Sequence, residues 1–181
     1  MDVLIDAAVS ALSLLIVGFY AWSLKGHFSS PRMPRGAKII SAAVIATSLF
    51  FLFQLWSQPQ PPLAQATGLC IEILAGLLFF WAMKASRTAR LRFAFDPENP
   101  HSIVSGGPYK YLRHPFYTSY LLFWAGWALA SWSIWGIVPV VFFTATYVMA
   151  ARGEERNFSN SDLAADYHAY RAQTGFLFPK F

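Results

Sequence analysis

The chain has 181 residues, 56% of them hydrophobic and 18% aromatic, with only 13% charged. That charged share is about half the ~25% usual in soluble domains, and one soluble domain of this length has too high a surface-to-volume ratio to hide so much apolar surface. Composition therefore excludes a disordered chain, a fibrous protein and an ordinary cytosolic enzyme; the net charge of +5 is read as basic loops beside a bilayer, not as a nucleic-acid footprint.

Five apolar segments follow in chain order. The first covers residues 3–24, the second 39–57 without a charge, and the third 63–83 with Glu72 inside it. A polar connector fills 84–113. No Lys, Arg, Asp or Glu then appears from 114 to 151, a run too long for one crossing, because a ~30 Å hydrocarbon core needs about 20 helical residues. Ser131-Trp132-Ser133 is the expected turn, giving a tight pair of helices. Open strands are excluded in lipid, where their backbone groups would go unsatisfied. The expected fold is all-α: a multi-pass transmembrane bundle of five spans, the last two a hairpin, with a cytosolic C-terminal helix. Residues 1–84 hold the first three spans. Residues 85–181 hold the connector, hairpin and C-terminal segment, as part of one integrated membrane domain.

The start does not read as a signal peptide, because Asp2 and Asp6 stand where a positive region belongs. All 14 Lys and Arg fall between spans one and two, between three and four, or after five. The positive-inside rule then places the N-terminus outside and the C-terminus in the cytoplasm. Residues 58–62, Gln-Pro-Gln-Pro-Pro, form a stiff external connector. Glu72 is a carboxylate within a span, with no obvious partner nearby in sequence, and is either a functional group or a hydrogen-bonded structural one. Cys70 is a lone thiol in an apolar run, which rules out an internal disulfide and a cysteine-based zinc site.

Polar chemistry concentrates in two places, residues 101–117 and the stretch beginning Arg152-Gly153-Glu154-Glu155-Arg156. If the charge-free helices between them form a hairpin, both emerge on one membrane face. Taken singly, Gly106-Gly107-Pro108 reads as a turn, the tyrosines as an aromatic belt, and the glutamates as a solvated helix end. There is no Gly-x-Gly-x-x-Gly, Walker loop, His-Glu-x-x-His or serine elbow. His27, His101, His114 and His168 are scattered, so no metal is expected.

Gly107-Pro108-Tyr109, then Arg113-His114-Pro115-Phe116-Tyr117, a hydrophobic hairpin and Glu154-Glu155 resemble the isoprenylcysteine carboxyl methyltransferase family. Tyr167, Tyr170 and Phe178-Pro179 resemble its C-terminal tail. The likeness covers about residues 100–179. It implies an integral membrane methyltransferase using S-adenosyl-L-methionine, bound in a pocket at the cytosolic membrane face. By position it implies that His101, Ile103, Val104, Tyr109, Arg113, His114, Pro115, Tyr117 and Glu154 bind the cofactor and that Arg152 and Glu155 are catalytic. The acceptor implied is lipid-modified or lipophilic, a carboxylate first, reached from the bilayer. Between Glu155 and Tyr167 the family's Phe-Gly step is absent, which weakens the match on the acceptor side. Other readings are phospholipid or amine N-methylation, an NADPH-dependent sterol-type reductase and a non-enzymatic membrane protein. Ser161 is the expected N-cap of a C-terminal helix presenting Leu163, Tyr167, Tyr170 and Thr174 on one face, and Gly175 is its expected end.

Overall fold

The computed structural model describes residues 3–26, 35–87 and 102–181. These form six α-helices: α1 Val3–Gly26, α2 Arg35–Ser57, α3 Pro62–Ser86, α4 Pro115–Ala130, α5 Ile137–Ser159 and α6 Ala164–Gln173. Short 3-10 turns occupy Gly107–Lys110 and Ile134–Gly136, and no strand occurs among the described residues. Four of the helices are long and apolar enough to cross a bilayer: Val3–Leu24, Gly36–Ser57, Pro62–Ser86 and Ile134–Ser159. These fit a membrane protein. The expectation of five full spans meets a shorter α4. Its 16 residues reach about 24 Å at 1.5 Å each, less than a ~30 Å core.

Lipid removes most of the hydrophobic drive between helices, so close approach and polar bonds must hold the bundle together. The most extensive contact is between antiparallel α3 and α4. Small residues line it: Gly68, Ala75 and Ala82 on α3 meet Gly126, Ala130 and Ser119 on α4, and Ser119 donates to the Ala75 carbonyl at 2.8 Å. By contrast α1 and α3 run parallel. Gln65 donates to Asp6 at 2.5 Å, and Ser13 donates to Glu72 at 2.8 Å. Tyr20 packs on Phe79 with ring centroids 4.5 Å apart. Each step is seven residues on both helices, the repeat that keeps one seam facing its partner. Glu72 thus has its partner, 59 residues away in sequence. All four carboxyl and hydrogen-bonding groups of this seam are buried.

The turn between α4 and α5 falls at 131–133, as expected, with Trp132 in the left-handed region at φ 45°. It brings α5 back beside α4. The rings of Tyr117, Tyr147, Phe143, Trp124 and Trp127 then stack in a continuous column along the hairpin, with centroid separations of 5.6, 5.6, 4.4 and 6.1 Å. Such pairs contribute about 0.5–1.5 kcal/mol each beyond burial. One end of the bundle therefore carries 58–62 and 131–136. The other, the site end, carries the C-terminus of α3, the start of α4, the end of α5, and α6.

Candidate active site at one end of the bundle

Gly107 sits at φ +59°, the left-handed region open to glycine, and a Cβ there would lie 2.7 Å from that of Ala85 on α3. Gly107 thus pins the 3-10 turn against the end of α3. From this turn the chain enters α4 through His114, with Pro115 at the first helical position, where a missing N–H leaves nothing unsatisfied. The end of α5 delivers Glu154 and Glu155 to the same point.

Arg113 Nε donates to Glu155 Oε1 at 2.6 Å, with both side chains about nine-tenths buried. Its Nη1 donates to the carbonyls of Arg171 (3.3 Å) and Thr174. His114 lies between the two acids, Nε2 at 3.3 Å from Glu155 and Nδ1 at 3.5 Å from Glu154. Tyr117 donates its hydroxyl to Glu154, and Tyr167 bonds Glu155. Residues 41 apart in the chain are therefore in direct contact. Both carboxylates also face the N-terminus of α4, where the helix dipole favours negative charge.

Burial opposes a charge on His114, but the hydrogen bonds and charges of Glu154 and Glu155 outweigh it and raise the pKa above the ordinary 6.5. A neutral imidazole has one N–H and satisfies one acid; the imidazolium satisfies both. Since the folded value lies above the unfolded one, this stabilisation is fully present below pH 6.5 and is lost as pH rises through the elevated value. The melting temperature in detergent is expected to decline with pH in that range. His114→Gln should flatten the decline, and an unchanged slope would place the titration on another group.

The other expected residues separate into contact groups. Val104 packs on the cluster of Phe79, Tyr109 and Phe116, and Ile103 is half-buried beside it. Tyr109 turns its phenol toward Ser86 of α3, and its carbonyl accepts from the Tyr170 hydroxyl at 2.8 Å. Pro115 is buried. Arg152 is exposed and pairs with no described residue. It lies two positions before Glu154, about 200° round the helix. His101 lies outside the described residues.

Several contacts had no marker in the sequence. Phe176 meets the His114 ring edge-on at 5.1 Å, and Thr118 donates to the Leu177 carbonyl at 2.9 Å. Tyr147 stacks on Tyr117; its position two turns before Glu154 was the available signal. The C-terminal helix begins at Ala164, not at Ser161; Ser161 instead accepts the N–H of Leu163 at 3.2 Å in the preceding turn. Thr174, not Gly175, closes it, and Gly175 pairs with Tyr111 and Arg113 through the backbone.

The cluster leaves one of its two carboxylates open. Glu154 keeps 36% of its side chain exposed while Tyr117 and His114 hold it. The rings of Tyr117 and His114, 5.7 Å apart, stand beside it. Among the described residues no group of three His, Cys, Asp or Glu side chains is placed to hold a metal.

No curated protein matches the chain. Residues 63–162, from the first turn of α3 past the end of α5, match the phospholipid methyltransferase family. The match takes in more than half of the 181 residues and both halves of the cluster. A family of membrane methyltransferases accounts for a polar, charge-paired site at the end of an apolar bundle, and this chain belongs to the phospholipid methyltransferase family.

Proposed function

We propose that the protein transfers a methyl group from S-adenosyl-L-methionine to a lipid-borne carboxylate, an isoprenylcysteine-type O-methylation at the cytoplasmic face. The observation that carries this reading is the pairing of His114 with both glutamates. An amine acceptor needs a base, and His114 and Glu155 are each already engaged. A carboxylate, with a reference pKa near 4, is ionised and needs none.

Bound S-adenosyl-L-methionine would supply an electrophilic methyl on a positively charged sulfur. Glu154 is the carboxylate left partly open to a cation, with Tyr117 and His114 holding it. Val104, packed on the cluster of Phe79, Tyr109 and Phe116, offers an apolar wall. Arg152, exposed and without a described ion pair, is the guanidinium for an acceptor carboxylate, whose geometry it matches in bidentate fashion. Holding donor and acceptor in line supplies part of the ~7–11 kcal/mol available from proximity. The distribution of the basic residues, which the positive-inside rule places on the cytoplasmic side, supports this placement.

The family match is also compatible with a second reading, methylation of a phospholipid amine, for which Glu154, bonded by Tyr117 and His114 but with 36% of its side chain exposed, would be the base. Incubating purified protein with radiolabelled donor and lipid extract separates the two. Base-labile label supports the ester, base-stable label the amine, and no incorporation with either sinks both. Tyr117→Phe should weaken S-adenosylhomocysteine binding about tenfold, the worth of one hydrogen bond to a charged group. Arg152→Ala should lower kcat/KM about tenfold to a hundredfold with that affinity unchanged. Equal loss of both quantities in Arg152→Ala would move it from the acceptor to the cofactor.

A further inference from the structure

The tail after α6 folds back along the start of α4. Gly175 N–H donates to the Tyr111 carbonyl at 3.0 Å, Arg113 N–H to Gly175 at 2.8 Å and Lys180 N–H to Tyr111 at 2.9 Å. Thr118 adds its bond to Leu177. This pinning divides the side chains. Phe176 and Leu177 turn inward, onto His114 and into the core. Phe178 and Phe181 turn outward and are 83% and 99% exposed. Phe181 rests on the Tyr111 ring with centroids 5.6 Å apart, and both phenylalanines still present most of their apolar surface outward on a pinned backbone, a patch suited to an apolar environment outside the chain.

Depth and charge say which partner. Thr118 lies one turn inside α4, and α4 spans only about 24 Å, less than a ~30 Å hydrocarbon core. Arg113 is the last charged residue before the charge-free run that begins at 114, which puts the start of α4 at the polar edge of the bilayer, and the tail bonded to residues 111, 113 and 118 lies at the same level. Residues 167–181 contain no Asp or Glu. Lys180 and Lys110 are both exposed; Lys110 Nζ stands 5.8 Å over the Tyr111 ring that Phe181 touches, and one Lys180 proton goes to the Ala172 carbonyl at 2.7 Å while two remain. Pro179 has no N–H to desolvate, which eases contact with lipid.

We propose that residues 176–181 are a membrane-docking element: Phe178 and Phe181 insert among the lipids at the site end, and Lys110 and Lys180 bind anionic phospholipid headgroups. This surface is distinct from the methyl-transfer site and does not depend on its chemistry.

The test uses full-length protein in phosphatidylcholine nanodiscs. Cys70→Ser removes the lone thiol, and Phe178→Cys carries an environment-sensitive fluorophore. Matched labels at Leu77, on the exposed face of α3, and at exposed Asp162 give the lipid and water references. Spin lipids labelled on the acyl chain, either phosphatidylglycerol or phosphatidylcholine with the headgroup intact, serve as quenchers. The label at 178 is expected to be quenched like that at 77, and better by phosphatidylglycerol. Lys110→Gln and Lys180→Gln should each lower that preference about fivefold. Quenching at 178 no greater than at 162, or equal quenching by both lipids with the lysines present, would overturn the proposal.

Discussion

Glu155→Ala is expected to destabilise the protein by about 3–5 kcal/mol, the cost of stranding a buried charge by removing its partner. Glu155 is the one acid contacting Arg113, His114 and Tyr167 together. Without it the Arg113 guanidinium, with 9% of its side chain exposed, keeps tail carbonyls and the face of Phe176 but no carboxylate among the described residues. The tail and α6 should then loosen from α5. Thermal unfolding in detergent reads the stability, and limited proteolysis after α5 reads the loosening. Binding of S-adenosylhomocysteine should be lost together with them. The double variant Arg113→Met, Glu155→Leu separates the two effects, because replacing a whole buried pair with apolar side chains is often neutral. It should recover stability without recovering binding. A loss below about 1 kcal/mol in the single variant would mean that the pair behaves as an exposed one.

Gly68→Val is expected to prevent assembly of the α3–α4 pair. A Cβ at this position would stand 2.5 Å from the Gly126 carbonyl oxygen and 2.8 Å from the Ala130 nitrogen. Both are backbone atoms, so no side chain can rotate away and the helices must part. One methyl too many typically costs about 1–3 kcal/mol, and valine adds more. Parting the helices also shifts the start of α4, where His114 meets the glutamates, so activity should fall with stability. Gly18→Ala is the control: nothing lies within 4 Å of its added Cβ, and no loss is expected. The measurement is the yield and melting temperature of monodisperse protein in detergent. A folded, active Gly68→Val would show that the crossing is looser than these distances require.

The site was legible in part. Arg113, His114, Tyr117, Glu154 and Glu155 were visible as two dense polar stretches, because charge is conspicuous in a chain this apolar. Their roles were less visible. Arg113 donates to Glu155 and to tail carbonyls. The partners on the tail side are mostly backbone oxygens, which every residue possesses and which no residue type signals. The bond from the Tyr109 phenol to Ser86, on a helix more than 20 residues earlier, had no marker in the sequence. Glu72 looked partnerless because its partner, Ser13, belongs to a helix two segments earlier.

Residue order alone determined where the apolar helices lie, where the chain turns at 131–133 and which end gathers the charge. Each of these depends on a sum over about 20 neighbouring residues, as transfer into a bilayer does. Only the tertiary structure decided the parallel seam of α1 and α3, the close glycine crossing of α3 and α4, and the sharing of two acids among His114, Arg113, Tyr117 and Tyr167. Those are set by interatomic distances between remote segments, where a shift of one ångström makes or breaks a bond, and no local sum carries such information.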